Sequence, residues 1–526
     1  VMATEMNWRK AIHFCDHHVS HGASAFFPSP FEDAAILTVD GVGEWSTTTM
    51  GLGRANKIEL TDHIRFPHSL GLLYSSFTSY LGFRINNGEY KVMGLAPYGS
   101  PIYEKKIRDE LIHLNEDGSF LINQEYFNYT VALTMFNSRF EKLFGHKSRK
   151  PESELKQFHA DVASSLQAVL NEAVLGLARR AKAKTSSKNI VMAGGVALNC
   201  VANGLLAQKD IFQNIWIQPA AGDAGGALGC ALWFWHQVLG NSRDSTGQDK
   251  MCHSVLGPNI ADSSERDDKT LREMGAIWEE HEEDVLARRV AEIIKEGRVV
   301  AVAKGPLEWG PRALGNRSIF ADARNENMLE TLNAKVKKRE AFRPFAPMVL
   351  EEEASLWFSV LDKSPYMLFV HHVAPDKRHE RKDGVVGDLS AIDEIRSQIP
   401  AVTHVDYTSR LQTVGKERPF AQMVLTHFQE MTGCPAMVNT SFNRRGEPIV
   451  CTAADAFKTF ASTDIDCLVV GNRILDRKNQ MFQLLKQESS APATDNDYLN
   501  GLNLRRRTKQ IDRTAIFGLV IFTVST

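Results

Sequence analysis

Apolar runs broken by glycine-rich turns set the rhythm of this chain. In "AAILTVDGVGEWSTTTMGLG" (34–53) an apolar stretch reaches Val39, glycines follow Asp40, and threonines alternate beyond, a pattern that predicts a hairpin. "PHSLGLLYSSFTSYLGF" (67–83) repeats Leu, Tyr and Phe at helical spacing, and "NNGEYKVMGLAPYG" (86–99) reads as a glycine-punctuated loop around a short helix. "SELKQFHADVASSLQAVLNEAVLGLARRAKAK" (153–184) predicts a long amphipathic helix capped by Ser153. "NIVMAGGVALNCVANGLL" (189–206) is a buried strand, a double glycine and a helix. "NIWIQPAAGDAGGALGCALWFW" (214–235) repeats that order, with Asp223 in the connecting loop. Such successions imply an α/β layout with ligand at the strand ends.

Periodicity fades over residues 241–284, in stretches such as "NSRDSTGQDK" and "ADSSERDDKT", which read as a linker. It resumes in "EDVLARRVAEIIKEGRVVAVAKGPLEWGPRALG" (283–315), so a second domain is expected over 285–475. Within it, 376–400 reads as a charged insertion or lid-like loop. Residues 476–526 are rich in Gln, Ser and Asn and predict a disordered tail. No internal repeat is visible.

Composition narrows the function classes. Lys plus Arg number 61 and Asp plus Glu 63, a formal charge of −2, so no global field draws the chain to nucleic acid or an anionic membrane. Its seven cysteines (15, 200, 230, 252, 434, 451, 467) form no C-x-x-C pair, which suits a reduced, cytoplasmic setting. The first residues have no apolar signal core. The run "TAIFGLVIFTVST" (514–526) is shorter than the ~20 residues that span a bilayer.

Two groups of residues carry candidate chemistry. In "DHHVSHGASAFF" (16–27), His17 and His21 share one helix face, one turn apart, as two ligands of one metal would; His18 points elsewhere. Asp40 and Asp223, in glycine-rich turns, would complete a mixed N/O set suited to a divalent first-row metal, or are turn residues alone. The second group is cationic: Arg312 and Arg317 in "GPLEWGPRALGNRSIF", Lys337, Lys338, Arg339 and Arg343 in "LNAKVKKREAFRPFAP", and Arg410 in "TSRLQTV". "VNTSFNRRGEPIV" adds Asn439, Ser441 and Asn443. Buried guanidinium groups need anionic partners: a small multi-oxygen anion held bidentately, or salt bridges to Glu308, Glu340 and Glu447.

"HHVSHGASAFFPSPF", "PHSLGLLYSSFTSYLGF", "NGEYKVMGLAPYG", "AGGVALNCVANG", "GDAGGALG", "EWGPRALGNRSI", "FRPFAP" and "NTSFNRRGEPIV" occur in this order from about residue 12 to 475. Together they resemble the NodU/CmcH/TobZ family of O-carbamoyltransferases. The resemblance implies an actin-like ATPase (ASKHA) domain over 1–240, similar to the tRNA threonylcarbamoyl transferase subunit, followed by a YrdC-like α/β domain. It implies formation of carbamoyl adenylate from carbamoyl phosphate and ATP, then transfer to a hydroxyl of a sugar, Nod-factor-like or antibiotic-type acceptor. By motif, His17, His21, Asp40 and Asp223 would hold a divalent metal, Fe2+ foremost, with Mn2+ or Zn2+ as the others. Asp40, Gly41, Gly43, Gly194, Gly195 and Asn199 would line a nucleotide pocket, with Glu89 and Lys91 facing the same cleft. Arg312, Lys337, Arg343, Arg410 and Ser441 would bind carbamoyl phosphate and the phosphates of ATP, which carries Mg2+. The implied partners are small molecules, not nucleic acid or membrane, and a homodimer is allowed. Family members carry a strand and a "G-x-x-x-x-H-D-x-S"-like turn well upstream of the histidine pair, whereas this chain begins at Val1. The expectation is therefore an actin-like domain without its opening lobe, with an inactive nucleotide-binding homologue as the alternative. A tRNA threonylcarbamoylation enzyme is the remaining rival, disfavoured by the lack of a basic surface.

Overall fold

The structure, a computed structural model, describes residues 12–244, 247–360, 363–380 and 387–481. The stretch expected as a tail lies outside the described residues from 482 onward. Helix α1 (His17–Phe26) leads into strands β1 (Asp33–Gly43), β2 (Ser46–Arg54) and β3 (Lys57–Arg65). Helices α2 (Leu70–Tyr80), α3 (Glu89–Leu95) and α4 (Gln157–Thr185) follow, then β4 (Asn189–Ala193), α5 (Cys200–Ala207), β5 (Asn214–Ile217) and α6 (Ala224–Trp233). The five strands form one sheet in the order β3-β2-β1-β4-β5. β1 pairs antiparallel with β2 (Thr38 opposite Thr49) and parallel with β4 (Leu37 opposite Met192). β1 is buried along most of its length because helices cover both faces of its sheet, so its run of Ala, Ile, Leu and Val is continuous, not alternating.

The second half begins with a helix the sequence pattern hides. Glu265–Glu273 is helical within the stretch read as a linker, started by Ser264, whose Oγ accepts from Asp267 N (3.2 Å). It buries Leu271 alone, so it carries no apolar period. Next come β6 (Glu279–Glu280), α7 (Glu283–Lys295), β7 (Val300–Ala303), β8 (Arg317–Asp322), β9 (Ala346–Leu350), β10 (Val370–His372), β11 (Thr408–Arg410) and β12 (Gln412–Val414). α8 (Pro419–Thr432), β13 (Ala436–Ser441), α9 (Ala453–Ala461), β14 (Cys467–Val470) and β15 (Arg473–Asp476) complete the half. Eight strands make a mixed sheet in the order β12-β9-β13-β8-β7-β14-β15-β6. α7 turns Leu286, Ala287, Val290, Ala291, Ile293 and Ile294 inward at helical spacing.

Each sheet has its own apolar core, yet Leu314, Phe342, Tyr366, Met367, Leu368 and Val405 of the second half pack into the first core. The lid-like segment is part of this seam where it is described. Gln157 Nε2 donates to Gly387 O (2.8 Å), Leu389 N donates to Gln157 Oε1 (3.0 Å), and His404 Nε2 lies 2.9 Å from Gly94 O. Ser153 does not cap the long helix: its hydroxyl donates back to Lys150 O. The helix begins after Lys156, whose N–H donates to His159 Nδ1 (2.8 Å). Among the described residues, no helix is long and apolar enough to cross a membrane.

Candidate functional site

The β1–β2 turn returns to the first turn of α1. Glu44 takes the His17 N–H on both carboxylate oxygens (3.1 Å each), filling an orphan donor at the positive helix end. From there His17 and His21 project on one face, their Nε2 atoms 3.0 Å apart. His18 turns into the sheet instead, against Thr38 Oγ1 (2.6 Å) and Ser46 O (2.9 Å), and burial holds it down at about 4. Asp40, near the end of β1, places Oδ2 2.9 Å from His17 Nε2 and 3.5 Å from His21 Nε2. Its Oδ1 accepts from Gly195 N (2.9 Å). Asp223, at the start of α6, brings Oδ1 to 3.6 and 3.7 Å from the two imidazoles. One donor atom from each of the four residues lies within 4.8 Å of the others.

The chemistry of this set fits a divalent cation. Two imidazole nitrogens and two carboxylate oxygens converge their lone pairs on one place, a mixed N/O set of the kind first-row metals prefer. Burial opposes charge on His21, but Asp223 and Asp40 hold its imidazole up at about 9. Burial likewise opposes charge on Asp40, yet His17 and His21 keep it well below the usual carboxylate range. The cluster thus attracts positive charge.

A second centre is a cavity of about 370 Å³ between the halves. Tyr90 and Met93 of α3 and Cys200 of α5 line one side; Arg312, Arg339, Arg343, Arg410 and Ser441 line the other. Arg312 rides on a loop tied down by buried Glu308, whose Oε1 accepts from Leu314 N (2.8 Å) and Asn316 N (2.7 Å). Arg410 ends β11, opposite Val370. Among the described residues neither the Arg312 nor the Arg410 side chain makes a hydrogen bond or ion pair. Burial, and then the nearby Arg312, pulls Arg410 down to about 9, a sign of a poorly compensated charge. Arg343 lies over the Tyr90 ring (4.5 Å) and 3.3 Å from Glu340 Oε2.

Other expected ligands are occupied differently. Arg317 is fully buried and donates to the carbonyls of Gly305 and Asn316 (2.9 Å each), away from the cavity. Lys337 is buried against Ser441 and Asn443, so its ammonium holds the turn after β13 and leaves Ser441 and Asn443 to line the cavity. Burial, then Arg339 and Arg343, drives that ammonium well below its ordinary range. Asn199 faces inward: its Oδ1 caps α5 through Ala202 N (3.0 Å) and its Nδ2 donates to Gln167 (3.0 Å). Glu89 accepts from Ser75 Oγ, Asn86 N and Gly88 N, and Lys91 sits 3.0 Å from Glu340. Gly43 makes room for the His17 ring, and Gly194 (φ 93°) lets the chain cross the Val39 carbonyl, where a Cβ would come within 2.2 Å. Gly41 borders open space, and Gly195 serves through its N–H on Asp40.

Residues 2–232 match the family model described as carbamoyltransferase N-terminus, and residues 291–477 match carbamoyltransferase C-terminus. Nodulation protein NolO of Bradyrhizobium diazoefficiens is 35% identical over 89% of this chain and 80% of its own length. The chain belongs to the NodU family of carbamoyltransferases. Nodulation protein NolNO of Sinorhizobium fredii is 38% identical over 89% of this carbamoyltransferase, which spans 64% of the longer protein. An uncharacterized Synechocystis protein is 48% identical over 89% of the chain and 76% of its own length. Among solved structures, HypF of T. kodakarensis covers 45% of the chain, and the chain 38% of it, at 16% identity and a TM-score of 0.22, a likeness too distant to assign the fold. What the sequence motifs did not flag in this carbamoyltransferase is the wall opposite the arginines: Tyr90, Met93 and Cys200 carry no spacing signal. The one available hint was that Tyr90 adjoins Lys91 in a motif already singled out.

Proposed function

We propose that this carbamoyltransferase activates carbamoyl phosphate with ATP and delivers the carbamoyl group to a hydroxyl of a sugar-like or antibiotic-type acceptor. In this reading the second half is the YrdC-like domain that forms carbamoyl adenylate, and the first half is the actin-like (ASKHA) transfer domain. The observation that carries it is the pair Arg312 and Arg410, whose side chains have no partner among the described residues, in a cavity shared with Arg343. Charges so placed cost several kcal/mol, roughly, unless an anion joins them. Carbamoyl phosphate is small, doubly charged and rich in acceptors, and guanidinium groups match its oxygens.

The bond balance is simple. Carbamoyl phosphate loses orthophosphate to water; a carboxylate oxygen of the carbamate attacks the α-phosphorus of ATP, and pyrophosphate leaves with Mg2+. The acceptor hydroxyl then attacks the carbamoyl carbon, AMP departs and the hydroxyl gives up its proton. Arg312, Arg343 and Arg410 stabilise the charge on the phosphate as it leaves. His17, His21, Asp40 and Asp223 would hold a divalent ion, Fe2+ foremost and Mn2+ or Zn2+ otherwise. Such an ion supplies Lewis acidity toward the carbamoyl group or neutralises the departing phosphate. Pyrophosphate release from ATP and carbamoyl phosphate, measured beside carbamoyl transfer to an acceptor panel, tests the division. Arg343→Ala should abolish release, while His17→Ala should keep release and lose transfer. Equal loss of both half-reactions in both variants would overturn it.

A further inference from the structure

Two consecutive residues of α3, Tyr90 and Lys91, reach the arginine side of the cavity. Glu89 fixes the start of the helix through Asn86 N (2.9 Å) and Gly88 N (3.1 Å). Tyr90 presents its ring to the Arg343 guanidinium, 4.5 Å from the centroid. Lys91, buried, places Nζ 3.0 Å from Glu340 Oε1. The other oxygen of the same carboxylate, Oε2, is 3.3 Å from Arg343 Nη1. Glu340 is therefore divided, one oxygen to an ammonium of the first half and one to a guanidinium of the second. Burial would raise its carboxyl, but Arg343 and Lys91 hold it at about 2, so it remains charged.

A carboxylate beside an anion-binding arginine competes with the anion. How hard Glu340 competes depends on its second partner. With Lys91 on Oε1, only Oε2 faces Arg343, and the remaining guanidinium donors stay available. Without Lys91 both oxygens can close on Arg343 as a bidentate pair, the stronger geometry, and a half-paired buried carboxylate gains by doing so. We propose that Glu340 is a positioning residue through which Lys91 of the first half sets how far Arg343 is available to an anion in the cavity. This rests on the cavity being the carbamoyl phosphate site, though the effect on Arg343 concerns any phosphate-like anion. It also couples the halves: a shift of α3 that withdraws Lys91 turns Arg343 toward Glu340 and away from the substrate.

The test is a titration of the purified full chain with carbamoyl phosphate and, separately, with inorganic phosphate, for wild type, Lys91→Met, Glu340→Gln and the double variant. Lys91→Met should weaken both anions about tenfold or more, the scale of one charged hydrogen bond. Glu340→Gln should bind no more weakly than wild type. The double variant should match Glu340→Gln, because the effect of Lys91 on Arg343 runs through Glu340. Lys91→Met weakening binding equally in both backgrounds would mean that Lys91 acts on the anion by a route other than Glu340, and would overturn the proposal. Weaker binding in all three variants, the mark of general damage, would overturn it too. If wild type binds inorganic phosphate but not carbamoyl phosphate, the substrate reading fails while the phosphate series still decides the role of Lys91. If it binds neither, both fall.

Discussion

Gly43 closes β1 directly against the His17 ring, and replacing it should disarm the candidate metal site while sparing the arginine cavity. A Cβ at residue 43 would lie 2.2 Å from His17 Cδ2 and 2.3 Å from Cγ, where ordinary contact begins near 3.4 Å. Restoring that separation moves the imidazole by about 1.2 Å, and metal–ligand distances tolerate only about 0.2 Å. Misorienting one ligand typically costs 10–100-fold in metal affinity, or ~1.4–2.8 kcal/mol. Overpacking itself costs ~1–3 kcal/mol of stability, so the thermal midpoint must be followed alongside. In Gly43→Ala, bound metal by elemental analysis should fall toward that of His17→Ala. Pyrophosphate release from ATP and carbamoyl phosphate should continue at the wild-type rate in the same sample. A folded Gly43→Ala protein that keeps its metal, or one that loses pyrophosphate release, would refute the reasoning, since it would mean that His17 is not a ligand or that the two centres are not separate.

Two further outcomes follow from the arginine cavity. Arg410→Met removes a half-buried charge without a partner among the described residues, so it should raise the thermal midpoint by about 1–2 °C, equivalent to ~1 kcal/mol, while weakening carbamoyl phosphate binding at least tenfold; a lower midpoint would show that the charge is compensated after all. Glu308→Ala leaves two buried N–H groups of the Arg312 loop without an acceptor and should cost ~2–4 kcal/mol with a raised KM for carbamoyl phosphate. Glu308→Gln, whose amide oxygen can accept both bonds, should recover most of each effect in denaturation and kinetic assays.

Local order was readable from the residues, and long-range pairing was not. The hairpin, α2 and the two strand–glycine–helix units follow from periodicity and turn chemistry, which act over a few residues. The histidine pair was visible for the same reason, since one helical turn sets its geometry. Arg312 and Arg317 show where such reading stops. They share one motif, yet the first sits on a loop open to the cavity and the second on β8, turned into backbone carbonyls. Nothing in their flanking residues distinguishes them; the register of β8 against β7 and β13 does. Lys337 and Asn199 make the same point: each is paired within the fold, Lys337 with Ser441 and Asn443 and Asn199 with Gln167, as a buried polar side chain must be, and no motif spells out those partners. Glu340 was foreseen as a salt-bridge carboxylate, but its sharing with Lys91 arises only when α3 of the other half packs beside it.

The two centres are joined by one short stretch of chain. Gly195 donates its N–H to Asp40 of the candidate metal site, and Cys200, five residues on, lines the arginine cavity. A peptide spans at most ~3.3–3.6 Å per residue, so these two points are within about 18 Å, and the 3₁₀ turn at Gly195–Leu198 shortens the path. Under the proposed division of labour, an activated carbamoyl group passes between two sites that share this stretch as a wall. The positive φ of Gly194 fixes the angle at which this wall leaves β4, because the Val39 carbonyl occupies the space a side chain would need. His17 belongs to the first centre and Arg343 to the second, which is why changes there should separate the half-reactions. A change within Gly194–Cys200 should not, for it moves the carboxylate of one centre and the lining of the other together.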